Sequence, residues 1–258
     1  NTYKRIRAGE IEDVTSSVAS DVLVAPAAHS PRHNLPAQAT AFVGREAELA
    51  EIYELLTLPE CRLVTLTGPG GIGKTRLALQ AAQEQMRGFP DGVVCVRLAA
   101  VSDLDSLVAA IVEALGTSLY PQSNLSSSEQ LLIYLEARKI LLVLDNFEHL
   151  LDHSTLVVDM LARAPSIKLL ITSRERLNVR GEWVVDISGL DRVARDSEKP
   201  ATSDAVALFL DTAQRIAPSF APDEGELRAI VRICDLVEGM PLGIELAAAW
   251  TKMLSCSE

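Results

Sequence analysis

The sequence predicts an α/β fold, in which a doubly wound parallel sheet is followed by a small α-helical subdomain. Five near-continuous apolar runs alternate with helical patterns, as is typical of parallel strands that are buried on both faces. The runs are residues 62–67, 93–99, 140–145, 168–173 and 183–188. After about residue 190 we expect helices alone, over residues 204–217, 224–238 and 242–254.

Two of the helices between the strands carry capping signals. Apolar residues keep helical spacing after Ser102, and Gly116 stands where a C-terminal cap belongs. Ser126 and Glu129 form a capping-box pattern just before the next apolar helical run. Both signals put helices between predicted strands, as a doubly wound sheet requires.

The composition excludes several classes of function. The 258 residues carry 24 Lys and Arg against 35 Asp and Glu, a formal net charge of −11, and 48% of the residues are hydrophobic. This balance fits a globular protein with a sizeable core, and it argues against direct binding of a nucleic-acid backbone by this segment. No apolar run reaches the roughly 18 residues of a membrane span, so we expect no membrane contact.

The four cysteines predict a reducing compartment. Cys61, Cys95, Cys234 and Cys256 are scattered, without a C-x-x-C pair. This spacing favours reduced, mostly buried thiols of a cytoplasmic protein over a zinc site or a disulfide framework. The sequence also lacks an initiator Met, and we therefore expect a fragment of a longer chain.

A phosphate-binding motif lies between the first predicted strand and the next helix. The segment GPGGIGKT matches the pattern G-x-x-x-x-G-K-[ST] in full, and its glycines let backbone N–H groups converge on an anion at a helix N-terminus. We expect Lys74 to reach the β- and γ-phosphates and the Thr75 hydroxyl to coordinate Mg²⁺. The predicted nucleotide contacts of this loop are Gly68, Pro69, Gly70, Gly71, Ile72, Gly73, Lys74, Thr75 and Arg76.

Further catalytic candidates stand at the ends of two later strands. Asp145 ends the run 140–145, and we expect it to hold Mg²⁺ through water and to act in catalysis with Lys74. Glu148 either orients the attacking water or is a solvated side chain at the start of a helix, and the sequence leaves both alternatives open. Arg174, at the tip of the next strand, either senses the γ-phosphate or lies on the surface.

Five motifs follow one another in a fixed order: FVGRE at Phe42–Glu46, then GPGGIGKTRLA, LLVLDNFEHLL, LLITSRERL and EGMPLGIELAAAW. This series resembles the STAND class of signal-transduction ATPases, NB-ARC-like relatives of AAA+ proteins. It looks most like the subgroup found in large bacterial transcriptional regulators of the BTAD/LuxR-type group, over roughly residues 40–256. In addition, Tyr3–Gly9 is similar to the final helix of the bacterial transcriptional activator domain, which implies a DNA-binding part in the longer protein.

The resemblance implies a strand order and a set of base contacts. The order is that of a P-loop NTPase with five parallel strands, 5-1-4-3-2. Val43, Gly44 and Arg45 would pack against the adenine and ribose, and Pro241 of a G-x-P motif would bring the helical subdomain onto the base. Arg174 matches the family's sensor arginine.

The predicted organisation has three parts. Residues 1–39 comprise the end of an upstream helix and a Pro- and Ala-rich linker, whose low periodicity extends over residues 14–41. Residues 40–195 form the P-loop nucleotide-binding domain, and residues 196–258 form the helical subdomain with the G-x-P motif.

We therefore predict an ATP/ADP-binding switch domain with slow, Mg²⁺-dependent ATP hydrolysis in a multidomain bacterial transcriptional regulator. Asn146 stands where many P-loop ATPases have a second carboxylate, and because an amide cannot take a proton it argues against fast hydrolysis. A turnover ATPase of an AAA+-like machine and a nucleotide-stabilised interaction scaffold are the alternatives. The expected partners are the adenine nucleotide, DNA-binding and helical-repeat domains of the same longer chain, and other copies through nucleotide-dependent self-association.

Overall fold

The computed structural model of the chain describes most of its length. Contacts divide the chain into residues 1–30 and residues 31–258, and every described residue belongs to the second unit. The helix end expected over residues 1–12 and most of the expected linker lie outside the described residues. The described residues are 33–120, 123–192, 203–252 and 256.

Five strands pair in parallel to form one sheet in the order β2-β3-β4-β1-β5. This confirms the order that the resemblance implied. The carboxyl ends of β1, β3 and β4 therefore lie side by side, at the edge where α/β sheets bind their ligands. The strands are β1 (Leu63–Thr67), β2 (Gly92–Arg97), β3 (Ile140–Asp145), β4 (Lys168–Thr172) and β5 (Glu182–Asp186).

Helices stand between β1 and β4 in the chain, β4 leads into β5 without a helix, and helices alone follow β5 in the described residues. Among the described residues, no helix is both long and apolar enough to cross a membrane. The α-helices are α1 (Glu46–Thr57), α2 (Lys74–Glu84), α3 (Leu104–Ala114), α4 (Ser127–Glu136), α5 (Ser154–Arg163), α6 (Asp204–Ile216), α7 (Glu224–Leu236) and α8 (Pro241–Ala249). Short 3₁₀ helices cover Met86–Gly88, Phe147–His153 and Trp250–Lys252.

The predicted capping signals correspond to real helix ends. The side chains of Ser126 and Glu129 form the expected capping box at the start of α4. At the C-terminal end of α3, Gly116 takes a left-handed conformation with φ of 63° and donates its N–H to the carbonyl of Glu113. Local sequence therefore determines where α4 begins and where α3 ends.

Strands β1 to β4 are apolar at consecutive positions and buried on both faces, whereas the edge strand β5 differs from the prediction, since only Val185 of its five residues is buried. On one face, Leu142 and Leu144 of β3 pack with α3, α4 and α5. On the other face, Leu141 and Val143 of the same strand pack with α1 and α2. The helices α6, α7 and α8 enclose a separate core with Leu190, which lies between β5 and α6 in the chain.

The described end of the expected linker lies against the sheet. His33 forms a parallel bridge with Val93 on the edge strand β2. The side chain of Asn34 then donates to the carbonyl of Cys95 (2.8 Å) and accepts from the N–H of Cys95 (2.7 Å). An exposed strand edge carries unpaired backbone groups, and Asn34 occupies two of them on β2.

Candidate nucleotide-binding site

The phosphate-binding loop connects β1 directly to α2. Its first glycine, Gly68, has φ of 146°, and a Cβ added there would lie 2.6 Å from the carbonyl oxygen of Ile187. Lys74, the first residue of α2, turns back into the loop and donates to the carbonyls of Gly68 (2.7 Å) and Pro69 (3.0 Å). Burial lowers the pKa of Lys74, while Glu148 raises it, Arg174 lowers it and Asp145 raises it by smaller amounts.

Asp145 ends β3 as a buried carboxylate that faces the loop. Its Oδ1 accepts a hydrogen bond from the Thr75 hydroxyl (2.6 Å) and another from the Thr172 hydroxyl (2.7 Å). Thr172 lies at the end of β4, and its hydroxyl also accepts from the N–H of Asn146 (2.9 Å). Sequence reasoning missed Thr172, although a polar residue at the end of a buried strand, just before Arg174, was the available signal.

The oxygen atoms of Thr75 and Asp145 fit an Mg²⁺ ion. Hydroxyl and carboxylate oxygens are its preferred ligands, and Mg²⁺ usually keeps several waters and phosphate oxygens besides one or two carboxylates. Within the described residues, no group of three or more His, Cys, Asp or Glu could hold a metal by itself. A metal held here would therefore depend on ligands from a bound nucleotide and from water.

Glu148 lies in the same cleft as the phosphate loop. Its Oε1 pairs with the Nε of Arg174 at 3.1 Å and accepts from the side-chain amide of Asn146 at 3.4 Å. Its Oε2 is buried and has no hydrogen-bond partner among the described residues. With only 19% of its side chain exposed, Glu148 is not the solvated side chain of the second alternative, and its role in orienting water stays a prediction.

Arg174 extends over the phosphate loop from the end of β4. A Cβ added to Gly70 would lie 3.6 Å from the Nη2 of Arg174. The side chain is 65% exposed, so it lies at the mouth of the cleft, where a terminal phosphate could reach it. The ion pair with Glu148 holds the guanidinium at this position.

Helix α8 rests on the phosphate loop from the other side. The backbone N–H of Leu242 donates to the carbonyl of Gly71 (3.2 Å), and a Cβ added to Gly71 would lie 2.9 Å from the Cβ of Leu242. Pro241 is the first residue of α8, where its missing N–H costs nothing, and its ring lies beside Gly73. The loop and α8 together enclose a cleft of about 260 Å³ that also contains Glu245.

A smaller apolar pocket of about 40 Å³ adjoins this cleft. Val43 and Pro241, both expected to contact the base, line it together with Leu190 and Leu208, which sequence reasoning did not identify. Gly44 has φ of 66°, and a Cβ there would collide with the carboxylate of Asp204 on α6. The expected base contacts therefore lie at the junction between the sheet and the helical subdomain.

Arg45 is brought to this pocket, but its guanidinium is occupied by the protein. It is buried, has a left-handed backbone with φ of 69°, and pairs with Glu48. It also donates to the carbonyls of Ser188 (2.6 Å) and Ile72 (3.2 Å). Arg45 therefore fixes the outer side of the phosphate loop to the segment that follows β5.

Comparison with known proteins identifies relatives of this chain. Residues 59–179 match the AAA domain family. The chain is 39% identical over 228 residues to an uncharacterized protein of Mycobacterium tuberculosis, an alignment that covers 88% of this chain and 54% of that protein. It is 38% identical over 202 residues to an HTH-type transcriptional regulator of the same species, covering 77% of this chain and 21% of the regulator.

A further relative is the regulatory protein AfsR of Streptomyces griseus, which is 31% identical over 215 residues, covering 72% of this chain and 21% of AfsR. The chain thus spans about half the length of the Mycobacterium protein named first and about a fifth of the two regulators.

Two solved structures share the fold. A STAND protein with a tetratricopeptide repeat sensor from Pyrococcus horikoshii matches with a TM-score of 0.50 and 19% identity, over 83% of this chain and 30% of that chain. Cdc6p from Pyrobaculum aerophilum matches with a TM-score of 0.56 and 20% identity, over 84% of this chain and 65% of that chain. At 19% and 20% identity, the similarity to these two structures concerns the fold alone.

Proposed function

We propose that this chain, whose residues 59–179 match the AAA domain family and whose homologues include AfsR-like and HTH-type transcriptional regulators, is an adenine-nucleotide switch of the STAND class. In this proposal ATP or ADP binds between the sheet and the helical subdomain and sets their arrangement. Slow, Mg²⁺-dependent hydrolysis of ATP to ADP and phosphate converts one state into the other.

One observation carries the proposal, namely that two subdomains line a single phosphate cleft. The P-loop contributes the glycine backbone and Lys74, while α8 contributes Pro241, Leu242 and Glu245. The hydrogen bond from Leu242 to Gly71 joins the two directly. A ligand in this cleft must therefore touch both subdomains, and a difference in its contacts biases their arrangement, which is the requirement for a switch.

The residues of the cleft divide the work of binding and hydrolysis. Lys74 supplies a cation inside the loop, and Thr75 and Asp145 are the residues that would hold Mg²⁺, which when bound neutralises charge on the phosphate oxygens. Glu148 is suited to take a proton from an attacking water, because it lines the cleft and its Oε2 has no hydrogen-bond partner among the described residues. Arg174, at the mouth, is suited to stabilise the terminal phosphate.

Slow turnover follows from the same geometry. Asn146 offers no proton acceptor next to Asp145, and one oxygen of Glu148 is already engaged by Arg174 and Asn146. We expect a rate well below the median enzyme rate of about 10 per second. Such a rate suits a timer that resets a switch.

The regulator context also remains part of the proposal. We expect DNA-binding and helical-repeat domains elsewhere in the longer protein, self-association that depends on the nucleotide, and a cytoplasmic location. The four cysteines agree with that location, since all are free and Cys61, Cys95 and Cys234 are buried.

The test is calorimetric binding of ATP and ADP in the presence of Mg²⁺ to the wild type and to Lys74→Ala. Lys74→Ala removes the half-buried cation of the loop and should weaken the binding of both nucleotides at least about tenfold, as expected for a charge-assisted contact. Lys139→Ala is the matched control, because Lys139 is exposed and precedes β3 at the opposite edge of the sheet. Equal affinities in the wild type and Lys74→Ala would reject the site.

A further inference from the structure

Helix α8 brings a carboxylate into the phosphate cleft that the phosphate motifs do not include. Glu245 lies one turn after Pro241 and lines the cleft together with Lys74 and Arg174. Its Oε1 is 3.6 Å from the Nη1 of Arg76, the residue that follows the P-loop threonine. The side chains of Arg76 and Glu245 are 35% and 37% exposed, so water only partly screens this pair.

Both ends of this ion pair are held in place. Arg76 also donates to the carbonyls of Thr40 (3.3 Å) and Ala41 (2.8 Å), which fixes its guanidinium beside the loop. Glu245 is on a helix whose first turn is attached to Gly71 through the N–H of Leu242. The carboxylate therefore stays in the cleft as long as α8 rests on the phosphate loop.

The arginines of the cleft are already paired with protein carboxylates. Arg174 pairs with Glu148, and Arg76 pairs with Glu245. We expect a diphosphate to bind through the glycine backbone and Lys74 and to leave both pairs in place. A third phosphate adds negative charge to a cleft that contains both carboxylates, and it competes with them for the arginines.

We propose that Glu245 is a specificity-determining residue that makes the closed arrangement of α8 on the P-loop favour the diphosphate over the triphosphate. The inference rests on the proposed nucleotide switch. In it, the side chain of Glu245 distinguishes the diphosphate from the triphosphate. The triphosphate is disfavoured by like-charge repulsion from Glu245 and by competition for Arg76. Because the Arg76–Glu245 pair joins the sheet to the helical subdomain, losing it loosens their contact.

The experiment compares Glu245→Gln with the wild type. The dissociation constants of ADP and of the non-hydrolysable β,γ-imido analogue of ATP are measured by calorimetry with Mg²⁺. Glu245→Gln should raise the affinity for the triphosphate analogue about threefold to tenfold, the range expected for a partly screened pair, and change that for ADP less than about twofold. Glu224→Gln is the matched control, because it removes the same charge from the same subdomain. Glu224 is exposed in the first turn of α7.

The ratio of the two affinities separates the outcomes. An unchanged ratio in Glu245→Gln, including a parallel loss of both affinities, would mean that Glu245 is a structural contact only and would overturn the inference. A wild type that binds neither nucleotide would overturn the proposed function together with it. Glu245→Ala is a second variant that keeps a strong helix former in α8, and it should move the ratio in the same direction.

Discussion

Replacing Thr172 by valine tests whether its hydroxyl organises the catalytic edge of the sheet. The hydroxyl is fully buried, donates to Oδ1 of Asp145 and accepts from the N–H of Asn146. Valine has nearly the same shape, so Thr172→Val removes both hydrogen bonds without leaving a cavity. A hydrogen bond to a charged group contributes about 1.5–3 kcal/mol, and a buried donor without a partner costs about 1–3 kcal/mol. We expect the free energy of unfolding to fall by about 2–4 kcal/mol.

The chain contains a matched control in the neighbouring strand. Thr65 of β1 is also fully buried, but its hydroxyl has no hydrogen-bond partner among the described residues. Burying a hydroxyl without a partner costs about 1–3 kcal/mol, so Thr65→Val should leave the protein as stable as the wild type or more stable. The two variants make the same chemical change in the same sheet, and only Thr172→Val is expected to lower the stability.

The assay is equilibrium unfolding in urea of nucleotide-free protein, since a ligand that binds only the folded state would add its own stabilisation. For a protein of this size each kcal/mol corresponds to about 2–4 °C, so the melting temperature of Thr172→Val should fall by about 4–16 °C. The reasoning is refuted if Thr172→Val unfolds at the same urea concentration as Thr65→Val.

Two further predictions concern Glu148 and Asn34. Glu148→Gln keeps the shape of the side chain but removes the proton acceptor, so single-turnover ATP hydrolysis should slow at least about tenfold, while Glu175→Gln, an exposed neighbour of Arg174, should leave the rate unchanged. Equal rates in Glu148→Gln and Glu175→Gln would mean that Glu148 takes no part in hydrolysis. Asn34→Ala leaves the N–H and the carbonyl of Cys95 without their partners on the edge strand and should lower the free energy of unfolding by about 1–2 kcal/mol in a urea titration.

The elements that sequence analysis predicted well are those determined by local or short-range patterns. Most strands are continuous apolar runs because helices cover both faces of the sheet, and such a run can be recognised within a few consecutive residues. The phosphate loop depends on glycines within eight consecutive positions, Gly68 to Thr75. The carboxylate of Asp145 was found for a similar reason, since it ends a run of buried residues.

The position of Glu148 could not be read from the sequence, because it depends on an irregular turn. Asn146 adopts a left-handed conformation with φ of 67°, and from Phe147 it is followed by short 3₁₀ turns with a kink at Leu150, where φ is −114°. Phe147 and Leu150 are both fully buried, at the spacing of three residues that matches the 3₁₀ repeat. These two anchors fix the backbone between them, and Glu148 therefore reaches the cleft instead of the solvent.

Contacts between distant segments explain the other omissions. Glu245 was not identified because its partner Arg76 is far away in the chain, and nothing in the helical pattern of α8 marks one of its faces as part of a phosphate cleft. The contact of the described linker end was missed for the same reason, because Asn34 and Cys95 are 61 residues apart in the chain. Such pairings follow from tertiary packing, and single-sequence periodicity carries no information about them.

Arg45 was expected to pack against the adenine and ribose, and in the structure its guanidinium is engaged by the protein itself. A buried guanidinium needs partners for its donors, and the protein supplies them through Ser188, Ile72 and Glu48. The walls that remain for a base are apolar, chiefly Val43 and Pro241, around a pocket of about 40 Å³. Pockets that enclose a small-molecule ligand measure roughly 300–1,000 Å³. An adenine base bound there therefore needs more room between Val43 and Pro241 than the structure provides.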